Sequence, residues 1–388
     1  MKMGVLGKFE SAMPILLAWL HRYGSVPIRF RLFTEIEGYP ASSKEVRDIR
    51  SALKRHIPAV DIIKKQKPDG SWGGTFRGTS TVKNPQQKSP FDGIEYQFSR
   101  LVEMGFDKDD EPVRRCAELL KMYILNDPRA PIWEARYYLP DNPEAVKWYL
   151  GLITIISAKM LSMAGYQEDE TLKKWMIGYI AHLNEYLESD KSKNPYTLFK
   201  GKYVIDEEIM LPGYHLLDLL AFNPWLKVGL LGKLFFPKFL SYISNFPKPP
   251  EDCPMRKYIS INCESPDLYV RAGDHLYRGQ GIPAPITLQE VGTKYKNHIP
   301  SVLKQLEMRA RLGFLERDDP VLLWILSHQD DGGVISIPGR LEKMIGRDTY
   351  HYYPLNDDTE DQGKFVDATF RAFLIVHYLN KATKVRYL

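Results

Sequence analysis

Cysteine is scarce in this chain: among 388 residues there are three, Cys116, Cys253 and Cys263. Three thiols make no disulfide framework, and the setting they suggest is reducing and cytoplasmic. Cys253 and Cys263 share one loop-like stretch where a pair or a metal site is conceivable, but their spacing matches no ligand motif, so neither metal nor cofactor is expected. Runs of like charge are missing too. The formal net charge is +5 with acids and bases interspersed, which excludes a nucleic-acid-binding tail. No stretch reaches the ~18 uninterrupted apolar residues of a spanning helix. The apolar run 13–20 follows Glu10 and precedes His21 and Arg22 without a small-residue cleavage site, so it reads as a first helix rather than a leader. Strand-like alternation is scarce. There is no phosphate-cradling glycine loop, dinucleotide fingerprint or His-Glu-x-x-His motif, and no recognisable Ser–His–Asp set.

What the chain does contain is a recurring helix junction. Gly105-Phe106, Gly165-Tyr166 and Gly313-Phe314 each close an apolar, helix-periodic segment, and each is followed within a few residues by acids: Asp109 and Asp110, Asp169, Asp318 and Asp319. A glycine adopts the left-handed C-terminal cap, the aromatic packs back, and the acids cap the next helix and suit its positive end. Pro112 and Pro320 add a start signal. The junctions predict helical hairpins in series and an all-α chain. Their spacing stretches between 165 and 313, and residues 223–300 are dense in proline, which predicts an insertion or degenerate repeats there, without long helices. No flexible linker divides the chain, so one domain is expected.

Two stretches are more specific. Gln66, Asp69, Gly70 and Trp72 follow an amphipathic segment, and Gln329, Asp331 and Gly332 repeat the pattern near the other end, with Val334 in place of the tryptophan. This resembles the QW-type repeat of the terpene cyclase and protein prenyltransferase superfamily over about a quarter of the chain. The resemblance implies an α/α toroid of helical hairpin repeats around a central cavity, and a cyclase-like or prenyl-handling protein acting on an apolar isoprenoid or lipid. The chain departs from the family at its chemistry. Leu355-Asn356-Asp357-Asp358 stands where protonating cyclases carry Asp-x-Asp-Asp, and Gly363 then interrupts the expected helix. The zinc set of the prenyltransferases and the Asp-Asp-x-x-Asp motif have no match.

The candidate site residues are those near the starts of inner helices, where free N–H groups and positive partial charge face the cavity mouth. Glu95 and Tyr96, with Asp92, offer an acid or base, or a capped and solvated helix start. Trp133, Glu134, Arg136 and Tyr138 read as a pocket wall, Arg136 suiting a carboxylate or phosphate, or as an interhelical loop with a surface ion pair. Asp206, Glu207 and Glu208 precede His215 and Asp218; Glu208 and His215 share a face if one helix spans Pro212 and Gly213. Asp357 and Asp358 are the acid candidates, with tyrosines upstream for a cation. Asp367 and Arg371, four apart, are a helix ion pair or cavity-facing groups. Residues 222–240, apolar with regularly spaced lysines, suggest peripheral membrane contact or a buried outer helix. Two alternatives to the isoprenoid reading use the same fold: a carbohydrate-active toroid with paired carboxylates, drawn from Glu95, Glu134, Glu208 and Asp367, and a non-catalytic binding protein with a filled centre.

Overall fold

The computed structural model describes residues 4–73, 75–76, 93–131, 143–206, 213–247, 269–272, 275–278, 285–292, 299–337, 355–356 and 361–386. In chain order the helices are Val5–Tyr23 (α1), Val26–Arg31 (α2), Lys44–Leu53 (α3), Ile57–Lys64 (α4), Ile94–Met104 (α5), Glu111–Ile124 (α6), Pro143–Met163 (α7), Glu170–Glu188 (α8) and Asp190–Lys193 (α9). After a first β-hairpin come Tyr214–Ala221 (α10), Trp225–Val228 (α11) and Leu230–Ser244 (α12), and after a second Leu288–Gly292 (α13), Ile299–Leu312 (α14), Pro320–Leu326 (α15) and Asp361–Arg386 (α16). α2 runs on into one π-helical turn, Leu32–Ile36. The chain is mostly helical, as its junctions predict.

The three glycine junctions are built alike. Gly105, Gly165 and Gly313 have φ of 110°, 93° and 78°, and the following aromatic N–H reaches back across the helix end, Phe106 to Leu101 O, Tyr166 to Leu161 O and Phe314 to Arg309 O. That six-residue return is the Schellman cap. The acids behave as N-caps with an added cation. Asp169 accepts from Leu172 N–H and meets Lys121 Nζ at 3.0 Å. Asp319 accepts from Val321 and Leu322 N–H and from Arg309. Asp110 caps α6 by position only; its carboxylate takes Asp107 N–H and Arg50 Nη2.

The two Gln–Asp-Gly turns dock in the same manner on different helices. Gln66 Nε2 donates to Pro112 O, at the start of α6, at 2.8 Å, and buried Trp72 donates Nε1–H to Ile62 O at 2.8 Å. Gln329 Nε2 donates to Val5 O, at the start of α1, at 3.1 Å. Gly333 (φ 86°) lies so close to α1 that a β-carbon there would stand 2.8 Å from Ala12 and Leu16 side chains. The last hairpin is thus seated on the first helix.

Three expectations are corrected. Proline does not prevent a long helix between 223 and 300: α12 runs fifteen residues with Pro237 inside it, because Phe235, Phe236 and Phe239 are buried and outweigh one lost backbone bond. Gly363 lies within α16 and does not interrupt it. A small sheet joins the helices: Tyr196–Phe199 (β1) and Lys202–Asp206 (β2) form a hairpin through Lys200 and Gly201, both at positive φ, and Tyr269–Ala272 (β3) and His275–Arg278 (β4) form another. β2 and β3 pair in parallel, Ile205 against Val270, to give the order β1-β2-β3-β4.

Packing follows a consistent path. α2 touches α5, α5 touches α7, α7 touches α10, α10 touches α14 and α14 lies along α16, while α16 and α15 both reach α1. α3 packs on α2, α6 on α5 and α7, α8 on α6 and α7, and α12 on α8, and one apolar core runs through the helices. Within α7 the window Val146–Met163 is long and apolar enough to cross a membrane, but 61% of it is buried by the rest of the chain.

Candidate functional site

The helices of that series carry charge on faces that are buried. On α5, Glu95, Ser99 and Glu103 recur every four residues and so share one face; all three are at most 5% exposed. Lys304, Glu307 and Arg311 form a stripe on α14, and Asp367, Arg371 and Tyr378 one on α16. Arg31 ends α2, and the π turn after it carries Glu35.

These groups meet in one ion network. Arg31 Nη1 and Arg371 Nη2 both donate to Glu103 Oε2, at 3.0 and 3.1 Å, and Lys304 Nζ donates to Glu103 Oε1 at 2.7 Å. Arg371 Nη1 donates to Glu307 Oε2 at 3.1 Å, and Arg311 Nε to Glu307 Oε1 at 3.0 Å. Glu35 accepts from Arg31, Arg311 and the Tyr378 hydroxyl. Burial raises the Glu103 carboxyl, but Lys304, Arg371 and Arg31 outweigh it and hold it well below the usual range. Glu307 is likewise raised by burial and lowered further by Arg311, Lys304, Arg371 and Arg31, to about 2. Both therefore stay ionised and fully occupied; neither is placed to give or take a proton. Removing one partner from such a network would leave an uncompensated buried charge, which is strongly destabilising.

Asp367 differs. Its Oδ1 accepts Leu355 N–H at 3.0 Å, and Leu355 is itself held by the Ser25 hydroxyl donating to its carbonyl at 2.6 Å. Among the described residues its Oδ2 is buried without a hydrogen-bond partner. Burial pushes the carboxyl up to about 6, against the pull of Arg371. Both residues are buried, and Arg371 directs its two terminal nitrogens to Glu307 and Glu103 rather than to Asp367.

A second buried cluster joins α5, α7 and α10. Lys159 Nζ lies 3.3 Å from Glu95 Oε1 and 3.4 Å from His215 Nδ1. Glu95 is fully buried, not a solvated helix start, and Asp218 is buried one turn beyond His215. Tyr96 is half-buried, its phenol raised by burial with Arg100 opposing.

Of the residues singled out from the sequence, Glu95 and His215 lie in the second cluster, and Asp367 and Arg371 lie at the first. α10 begins at Tyr214 with Gly213 as its cap, so no helix carries Glu208 and His215 on one face. Trp133, Glu134, Arg136, Tyr138, Glu208, Asp357 and Asp358, with Asp92, Cys253 and Cys263, lie outside the described residues. Arg31, Glu35, Glu103, Lys159, Lys304, Glu307 and Arg311 were missed. The available signal was charge at helical spacing inside otherwise apolar faces, as in Glu95–Ser99–Glu103.

Among the described residues, no group of three His, Cys, Asp or Glu side chains is placed to hold a metal. In the 222–240 segment Phe235, Phe236 and Phe239 point into the core, Lys238 pairs with Asn184 and Glu188 of α8, and Lys233 and Leu234 are exposed. No family model, curated protein or solved structure matches this chain.

Proposed function

We propose that the chain is an α/α toroid whose ring centre carries an acid–base site for a polar small molecule of the carbohydrate class, with Asp367 as its proton-handling group. The ring reading draws on the helix series α2, α5, α7, α10, α14 and α16, on Arg31 stacked over Phe370 at 5.2 Å between its first and last members, and on the seating of the Gln329 turn on α1. The observation that carries the function is the Asp367 carboxyl. It has one oxygen committed to the backbone, one buried and without a partner among the described residues, and an affinity for protons near neutrality, where a general acid or base works best.

The polar substrate is preferred to a hydrocarbon for an electrostatic reason. A carbocation cascade needs free aromatic faces. Here Arg311 lies over Phe222 at 4.9 Å and over Tyr378 at 4.1 Å, and Arg31 covers Phe370. Those faces already hold the protein's own cations, which would repel another. The isoprenoid reading, with entry from a membrane through 222–240, rests on the repeat resemblance and that segment's composition. Glu103 and Glu307 are the ring's structural centre in this proposal, and the partner carboxylate is sought among Glu95, Glu134, Glu208, Asp357 and Asp358.

Native mass spectrometry and thermal-shift titration of the purified protein against neutral and acidic oligosaccharides and against isoprenoids test this. Saturable oligosaccharide binding, with turnover whose pH profile loses its limb near pH 6 in Asp367→Asn, supports the proposal. A co-purified isoprenoid, or isoprenoid binding alone, overturns it in favour of the cyclase-like reading.

A further inference from the structure

A separate pocket of about 480 Å³ opens beside the π turn, between α2, α3, α5 and the end of α7. Its volume is in the range of small-molecule sites, roughly 300–1,000 Å³. None of the charged groups of the ring centre lines it. Tyr39, Val102, Phe106 and Met163 give it apolar walls. Phe30 forms another wall and is wedged in place: a β-carbon on Gly105 would sit 2.3 Å from its ring.

The polar side of the pocket is negative. Among the described residues Arg50 is the one lining cation, and that guanidinium is consumed: it forks onto Asp107 at 2.9 and 3.0 Å and reaches Asp110 at 2.7 Å. Asp109, exposed at the rim, has no salt bridge among the described residues. The ends of α5 at Val102 and of α7 at Met163 and the first turn of α3 at Val46 all border this space, so helix-end partial charges of both signs meet there. The sign preference therefore comes from the exposed Asp109 carboxylate at the rim, which favours a cationic group.

We propose that this pocket binds a small molecule with an apolar ring or chain and a cationic amine, the amine at Asp109 and the apolar part against Phe106, Val102, Met163 and Tyr39. The lining residues Phe30, Thr34 and Val102 directly neighbour Arg31, Glu35 and Glu103 in sequence, so an occupant would press on the backs of the helix turns that carry the central ion network.

Isothermal titration of the full chain with phenethylammonium, its neutral analogue 2-phenylethanol and the anion phenylacetate tests the assignment. Phenethylammonium is expected to bind saturably and 2-phenylethanol roughly three- to fivefold more weakly, the scale of one partly exposed charge. Asp109→Asn should erase that difference, and Ala41→Trp, which fills the pocket from an exposed lining position, should abolish binding of both. Circular dichroism confirms that the two variants fold. Phenylacetate binding as tightly as the ammonium, no saturable binding by any of the three, or ammonium binding untouched by both substitutions would overturn the proposal.

Discussion

Asp367 and the glutamates of the ion network respond to pH with opposite signs. A carboxyl raised to about 6 in the folded chain prefers to be protonated there, so its contribution is fully present below the unfolded value and fades as pH rises through the folded one. Glu103 and Glu307 are depressed, so their contribution is present above the unfolded carboxylate range and is lost as pH falls. Asp367→Asn removes only the first effect. Relative to wild type, the variant should gain up to about 3 kcal/mol between pH 4 and pH 7, the worth of a two-unit shift, and gain nothing below pH 4. Urea unfolding of both proteins across that range measures it; a difference constant with pH would mean that Asp367 does not carry a raised proton affinity.

At the scale of elements, the helix junctions were legible and the chemistry between helices was not. Gly105, Gly165 and Gly313 announce left-handed caps because few other residues take that conformation, and the acids after them have a local task that sequence displays. Gly105→Ala should cost clearly more than Gly165→Ala. Both force an unfavourable φ, worth about 1–2 kcal/mol, but only at 105 does the new methyl strike a ring, 2.3 Å from Phe30, whereas at 165 the nearest atom is 3.8 Å away. Chemical denaturation of the pair would show it, and equal losses would mean that Phe30 swings aside freely. By contrast, Glu103 could not be recognised from its neighbours. Its partners Lys304 and Arg371 are 201 and 268 residues away, and only the folded chain turns a charged position on an apolar face into an ion pair. The β-hairpins were missed because four- and five-residue strands leave little alternation to read. Pro237 misled because core burial, invisible locally, decided against it.

For the whole molecule, the network fixes which helices meet. Glu103 alone ties α5 to α2, α14 and α16. Glu103→Gln should destabilise the chain by about 3–5 kcal/mol, the cost of leaving buried cations short of their counter-charge. Replacing Glu103 and Arg371 together with methionine should cost less than the sum of the single changes, since each removes the other's unmet charge; strict additivity in a double-mutant cycle would deny the coupling. The order in which the chain is made gives this arrangement a further meaning. Arg371 leaves the ribosome 268 residues after Glu103, on the order of tens of seconds later at ordinary rates of synthesis. Until then Glu103 lacks one of its three cationic partners, and burying it costs correspondingly more. A product truncated before α16 would lack Arg371 and is expected to leave Glu103 more open to water than the full chain does.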